Sequence, residues 1–463
     1  MTIWSPHLNL DGVPITRTLM AALRSDIDSG RLKPGDRLPT QRELADKLGV
    51  SLGTITRVYG LAQREGLLSG EVGRGTFVRI SRPVEEDFAV QDGQVSVIDL
   101  SKNRVARDPR EAILAEGLAN LGSRHELTSL LDKYQPAAGV ARHRESAALW
   151  LSRSGFAVSA DQILISSGAQ HAMYATLATL AKPGDTIAAE SVTYPGIRAL
   201  ASLFHLRLLG LAIDEFGIIP ESFRQACGNA AVKVLYCVPS LHNPTASIMP
   251  AERREEIAAI AREFGVSVIE DDVYGFVPGE SAPLPIAAFA PERTYYINSM
   301  SKSVAPGLRI GFVVAPVESA PRIANAIYTS MLEAPPLMAE LASAWIENGV
   351  ARKVVNWKRA EISLRHELAL KLLSVPQGSA LHPSCHLWLS LPEPWRSEDF
   401  VAHALARGVA ISPSESFVAG RGTAPHAVRI CIGAPSDRSQ LQNGLEILAE
   451  ILRGTPEPGF STV

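Results

Sequence analysis

Apolar positions recur every fourth residue near the start of the chain. Ile15, Leu19, Leu23 and Ile27 line one face of a helix, which Gly30 and then Pro34-Gly35 bring to an end. Thr40 stands three residues before Glu43, the spacing of a capping box: the hydroxyl takes one orphan backbone N–H and the carboxylate another. The helix so opened carries Leu44 and Leu48 inward and stops at Gly49. Ser51 is placed to cap a third helix with Ile55, Val58 and Ala62 on its inner face. Short helix, glycine turn, short helix is the helix-turn-helix pattern. Beyond it, Leu67-Leu68 and Thr76-Phe77-Val78 flank the tip Gly73-Arg74-Gly75 and predict a two-stranded hairpin, a wing. Residues 81–96 follow neither period, mix proline, glycine and acids, and predict a linker.

The pattern then changes. From about residue 160, short β-branched runs (Ile163-Leu164-Ile165, Thr186-Ile187-Ala188, Val232 to Leu235, Ser267-Val268-Ile269) alternate with helical segments such as Pro250 to Phe264. Alternation of this kind predicts an α/β unit with a mostly parallel sheet covered on both faces. In such sheets ligands sit beyond the carboxyl ends of the strands. Three units are therefore expected: a winged helix over 1–80, a linker over 81–96 and an α/β unit over 97–463.

Charge sharpens this division. The net charge is −3, but residues 1–82 hold 12 basic against 8 acidic residues, +4, and the remainder 33 against 40, −7. A small basic head on a large acidic body is the footprint of a chain whose first part meets nucleic acid. The third helix is expected in the major groove, its Ser51, Thr54 and Arg57 reaching phosphates or base edges, with Arg74 at the wing tip approaching the backbone or a minor groove. An apolar content of 46% and a charged content of 20% exclude disordered and coiled-coil classes. No apolar run is long enough to span a membrane, no secretory leader opens the chain, and the four cysteines are scattered, so a cytoplasmic setting is expected.

The strand ends carry the candidate chemistry. Ser167-Gly168-Ala169-Gln170 opens a helix after the first run, where backbone N–H groups can take a phosphate; a plain tight turn has the same pattern. Asn243-Pro244 follows the third run, as a turn or with the Asn243 amide donating to a phenolate. Glu270-Asp271-Asp272-Val273-Tyr274 follows the fourth. It suits a solvated loop, a metal site, or one buried carboxylate held by a cationic ring nitrogen. Tyr295-Tyr296-Ile297-Asn298 runs into Ser299-Met300-Ser301-Lys302 and on to Arg309. A lysine there is either a surface residue or a desolvated amine of lowered pKa, with Ser299 and Arg309 as further phosphate donors.

Two resemblances join these signals. Pro34 to Val78 resembles the winged helix of the GntR regulators, which implies DNA contacts from Arg42 and from Ser51, Thr54 and Arg57 in the turn 51–57; Thr40 and the wing-tip Arg74 complete the candidate DNA-binding set. Leu52, followed by Gly53, stands where that family often has arginine. Tyr134 to Arg429 resembles the fold-type I aminotransferases, which bind pyridoxal 5′-phosphate (PLP) and have a smaller C-terminal α+β subdomain. The resemblance implies a Schiff base at Lys302, Asp271 against the pyridinium nitrogen (Asp272 in the neighbouring register), and Asn243 and Tyr274 on the ring oxygen. It implies Tyr194 stacked on the ring, and Ser167, Gly168, Ala169, Gln170, Ser299 and Arg309 around the phosphate. It further implies Arg429 on a substrate or effector carboxylate and Tyr134 reaching into a neighbouring subunit of a homodimer, with no metal. Asn243-Pro244-Thr245-Ala246 departs from the usual N-P-T-G.

Both together resemble the MocR subgroup of GntR regulators. The implied function is a DNA-binding transcription regulator that senses PLP, an amino compound, or both. The alternatives are a working aminotransferase with a DNA-binding unit attached, and a scaffold without cofactor.

Overall fold

A computed structural model describes residues 4, 6, 15–32, 36–64, 67–71, 75–78, 97–106, 111–122, 130–152, 156–374, 382–420 and 422–454. Arg74 and the linker 81–96 lie outside them. The chain divides into two units, Met1–Ala89 and Val90–Val463.

The first unit is built from α1 (Ile15–Asp28), β1 (Arg37–Leu38), α2 (Gln41–Leu48), α3 (Leu52–Arg64), β2 (Leu68–Glu71) and β3 (Gly75–Val78). The capping box forms: Glu43 N donates to Thr40 Oγ1 at 3.3 Å and Thr40 N to Glu43 Oε2 at 2.8 Å. Gly49 closes α2 in the left-handed region, φ 64°, where a side chain would be strained. Leu19, Leu23, Leu44, Ile55, Val58 and Ala62 are fully buried, the faces set by the four-residue spacing. Beyond the hairpin β2–β3, β1 adds a third strand, Arg37 opposite Phe77, in a stretch where only the helix stop had been legible.

In the second unit, β4 (Ile98–Asp99) precedes β5 (Ile163–Ser166), β6 (Thr186–Glu190), β7 (Arg207–Leu211), the ribbon β8 (Ile213–Asp214) and β9 (Gly217–Ile218), then β10 (Val232–Cys237), β11 (Ser267–Asp271), β12 (Thr294–Ser299) and β13 (Gly311–Val314). The main sheet runs β5-β13-β12-β11-β10-β6-β7. It is parallel except at β13, antiparallel to both neighbours. Val234, Ile269 and Ile297 at its centre are inaccessible to solvent, each burial stabilising by about 1.5–3 kcal/mol. A smaller α+β subdomain holds β14 (His386–Ser390), β15 (Val409–Ala410), β16 (Ser412–Pro413) and β17 (Ala427–Cys431), with antiparallel order β14-β17-β16. β4 pairs with β15, Ile98 beside Val409, so the start of the second unit is stitched to its far end. The helix Val350–Leu373 packs on the helix Arg438–Arg453. Among the described residues no helix is long and apolar enough to cross a membrane.

Candidate functional site

In the first unit, α3 presents its N-terminal turn outward. Ser51, Arg57 and, on α2, Arg42 are exposed, while Thr54 is half-buried. Ser51 Oγ accepts from Thr54 N at 3.2 Å and so caps the helix, and it lies 2.9 Å from Thr54 Oγ1, which ties the two hydroxyls together. Thr40 likewise spends its hydroxyl on the capping box. Thr56, which the sequence did not single out, donates to Gln41 Oε1 at 2.7 Å and ties α3 to α2. Leu52, Gly53, Thr56, Arg57, Gly60 and Leu61 line an open hollow along α3.

In the second unit the strand-end residues converge. Asp271 is buried at the end of β11; Tyr236 Oη, from β10, donates to its Oδ2 at 2.9 Å. Its Oδ1 has no hydrogen-bond partner among the described residues. Burial pushes its pKa up to about 6, against the pull of the Tyr236 hydrogen bond. Asp272 turns the other way, accepting from Tyr296 Oη. Glu270 accepts from the backbone of Ile286 and Ala287 at 2.9 Å each, beside Arg254. The alternation of the strand sets Asp271 opposite Glu270, and the lysine's field acts on Asp271.

β12 ends at Ser299, which caps the one-turn helix Met300–Ser303 carrying Lys302. The amine donates to the Asn103 carbonyl and lies 5.9 Å from the centre of the Tyr274 ring. Desolvation lowers its pKa. Lys358, from the helix Val350–Leu373, donates to the carbonyls of Lys302 (3.1 Å) and Val304 (2.6 Å), holding this short turn at its C-terminal end.

Gly168, φ 87°, opens the helix Ala169–Leu180. A Cβ there would come within 2.6 Å of Arg309 Nη2, so the turn and the guanidinium are pressed together. Arg309 also donates to the Ser167 carbonyl at 3.2 Å and to Ser301 Oγ at 3.5 Å. Ser299 Oγ donates to the Ile310 carbonyl at 3.0 Å, and Tyr194 donates to Gln170 Oε1 at 3.3 Å. Asn243 accepts from Arg429 Nη1 at 2.9 Å. Arg429 Nη2 reaches the Ser101 carbonyl at 2.6 Å, and its guanidinium lies over Phe417 at 4.6 Å. Tyr274 is buried beside His386. Tyr134 stands apart, 84% exposed.

Sequence inspection missed Tyr236, Asn103, His386 and Lys358. The hydroxyl inside the otherwise apolar run Val232–Cys237 was the one available signal.

Residues 95–448 match the class I and II aminotransferases, and residues 15–78 the gntR family of bacterial regulatory proteins. The HTH-type transcriptional regulator YdeF of Bacillus subtilis is 33% identical, covering 97% of this chain and 96% of its own. The chain is a GntR regulator of the MocR subgroup, with a class I and II aminotransferase domain. This MocR-type chain is also 26% identical to the pyridoxine biosynthesis transcriptional regulator PdxR of Corynebacterium glutamicum, covering 90% of this chain and 91% of that one. Among solved structures, kynurenine aminotransferase of Pyrococcus horikoshii, in complex with PMP, matches with a TM-score of 0.70 and 25% identity, covering 78% of this chain and 91% of that one.

Proposed function

We propose that this MocR-type chain is a PLP-binding, DNA-binding regulator whose second unit senses PLP or an amino compound and whose first unit grips an operator. One observation carries the reading. A desolvated amine (Lys302), a buried carboxylate oxygen without a partner among the described residues (Asp271 Oδ1) and a glycine-opened helix N-terminus (Ser167-Gly168) follow the carboxyl ends of β12, β11 and β5, on a chain whose head is a gntR domain.

These residues fit the cofactor. When bound, PLP supplies an aldehyde that condenses with amines and a ring that withdraws electrons from them. Lys302 offers the amine. Asp271 Oδ1 receives the ring N–H, with Tyr236 orienting the carboxylate. Asn243 and Tyr274 take the ring oxygen, and Tyr194 packs on the ring face. Ser167, Gly168, Ala169, Gln170, Ser299 and Arg309 hold the phosphate. Arg429, already braced by Asn243 and Ser101, presents the rest of its fork to an effector carboxylate. The exposed Tyr134 reaches the site of a second copy, making the regulator a homodimer.

In the head, residues 1–80, Arg42, Arg57 and Arg74 meet phosphates of double-stranded DNA, and the Ser51–Thr54 turn approaches the base edges; Thr40 sets the angle of α2. Residues 81–96 link it to 97–463, and the protein works in the cytoplasm. An effector changes operator binding only by favouring one arrangement of the dimer over another. The test is a titration of the promoter fragment beside its own gene with PLP-free and PLP-loaded protein, with and without amino acids. A shift in affinity or footprint is expected; identical curves defeat the sensing role. Arg57→Ala should weaken all forms and reduce the salt slope by about 1.

The completeness of the set Lys302, Asp271, Asn243, Tyr274 and Arg429 favours a second reading, retained transamination, which sustained keto-acid turnover would establish.

Lys358 is a positioning residue for Lys302. Lys358→Met should weaken PLP uptake about tenfold, the scale of lost charge-assisted hydrogen bonds, and Lys358→Arg should restore most of it. Borohydride labelling of Lys302 across PLP concentrations, at a temperature where circular dichroism shows every variant folded, checks this.

A further inference from the structure

The Asn103 side chain is held in one orientation by a chain of hydrogen bonds. His386 Nε2 lies 3.0 Å from the carbonyl of His242, which only accepts, so Nε2 carries the ring proton. Burial pushes the His386 pKa down to about 3, so the ring is neutral and its Nδ1 is a bare acceptor. Asn103 Nδ2 meets that nitrogen at 3.2 Å as a donor. The amide cannot be turned round, because its oxygen would then face a lone pair. Oδ1 consequently faces away from His386, buried and without a hydrogen-bond partner among the described residues.

The backbone that carries it borders the residues assigned to the ligand. The Asn103 carbonyl accepts from Lys302 Nζ, and the Ser101 carbonyl accepts from Arg429 Nη2. The His386 ring meets Tyr274 edge-on at 5.7 Å. One short stretch after β4 thus touches both groups assigned to the effector's amine and carboxylate, and carries an acceptor that no described residue meets.

We propose that Asn103 Oδ1 reads the effector, and that the effector is an amino acid whose chain bears a hydrogen-bond donor of its own: an amide, a hydroxyl or a second amine. This rests on the roles given above to Lys302 and Arg429. A second carboxylate is repelled by a buried acceptor, and an aliphatic chain leaves it unpaired; a site built to hydrogen-bond a group discriminates strongly against analogues that lack it.

The experiment titrates PLP-loaded full-length protein with asparagine against aspartate, glutamine against glutamate, and serine against alanine, following the absorbance of the bound cofactor. The donor-bearing member of each pair is expected to bind about tenfold tighter or more. Asn103→Leu should bring the ratios to within about twofold while Lys302 still takes the borohydride label. Asn103→Ala, which removes Oδ1 without adding bulk, should do the same. Equal affinities in the wild type, or ratios that survive in Asn103→Leu, overturn the proposal. If Asn103→Leu does not hold PLP, Asn103→Ala decides: ratios within about twofold support the proposal and ratios that survive overturn it. Wild-type protein that takes no label at Lys302 fails at the earlier step, and shows that the PLP assignment was at fault rather than Asn103.

Discussion

Lys302→Ala is expected to abolish borohydride-fixable PLP completely while leaving the fold intact. The amine is placed against Asn103 and Tyr274, and burial lowers its pKa, so more of it is unprotonated and nucleophilic near neutrality than of an exposed lysine. Alanine removes that nitrogen and little else. Lys358 bonds the backbone carbonyl at 302 rather than the side chain, so the short turn keeps its brace. Ser299 still caps it. Residual PLP bound through the phosphate turn and Asp271 should wash out on dialysis. Mass spectrometry after reduction, with circular dichroism to verify folding, reads the result. A label retained elsewhere in the variant would move the amine to another lysine.

Arg254→Met should destabilise the second unit by about 3–5 kcal/mol, the range for breaking one side of a buried ion pair. Arg254 and Glu270 are both inaccessible to solvent, 3.8 Å apart. The guanidinium also satisfies the carbonyls of Met249 and Pro239, at 2.8 and 2.9 Å, and Ser240 Oγ at 3.2 Å. Without it these acceptors lose their donor, and the Glu270 carboxylate keeps only the Ile286 and Ala287 amides. The loss depends on pH. Burial already raises Glu270 to about 7, so the folded form binds its proton more tightly than the unfolded chain does. The variant raises it further, and its stability therefore falls as pH rises from the ordinary carboxylate range through that elevated value. Urea unfolding at pH 5 and pH 8 should show the smaller deficit at pH 5, and Glu270→Gln in the same background should recover part of it.

What the sequence revealed followed burial. β10, β11 and β12 are covered on both faces, so they stand out as continuous apolar runs, and the residues after them could be singled out as strand-end chemistry. β7 is an edge strand that begins with the exposed Arg207 and contains Gly210, and its pattern is diluted. β13 is four residues long and lies directly after the Arg309 turn, too short for a period to show. Arg254 sits in the charged run of the helix Ala251–Phe264, which reads as a solvated face; only the packing against β11 reveals it as fully buried. Asn103, His386 and Lys358 come from segments remote in sequence, and nothing local marks them. Their roles exist only once the strands β4 and β14 and the helix Val350–Leu373 are folded around Lys302.

The pairing of β4 with β15 has a consequence for signalling. The first described residues after position 96 enter the second unit through β4, and the chain then runs directly past Arg429 and Lys302 by way of Ser101 and Asn103. A molecule that displaces Lys302 from the Asn103 carbonyl, or draws Arg429 off Ser101, acts on the backbone that continues directly from β4.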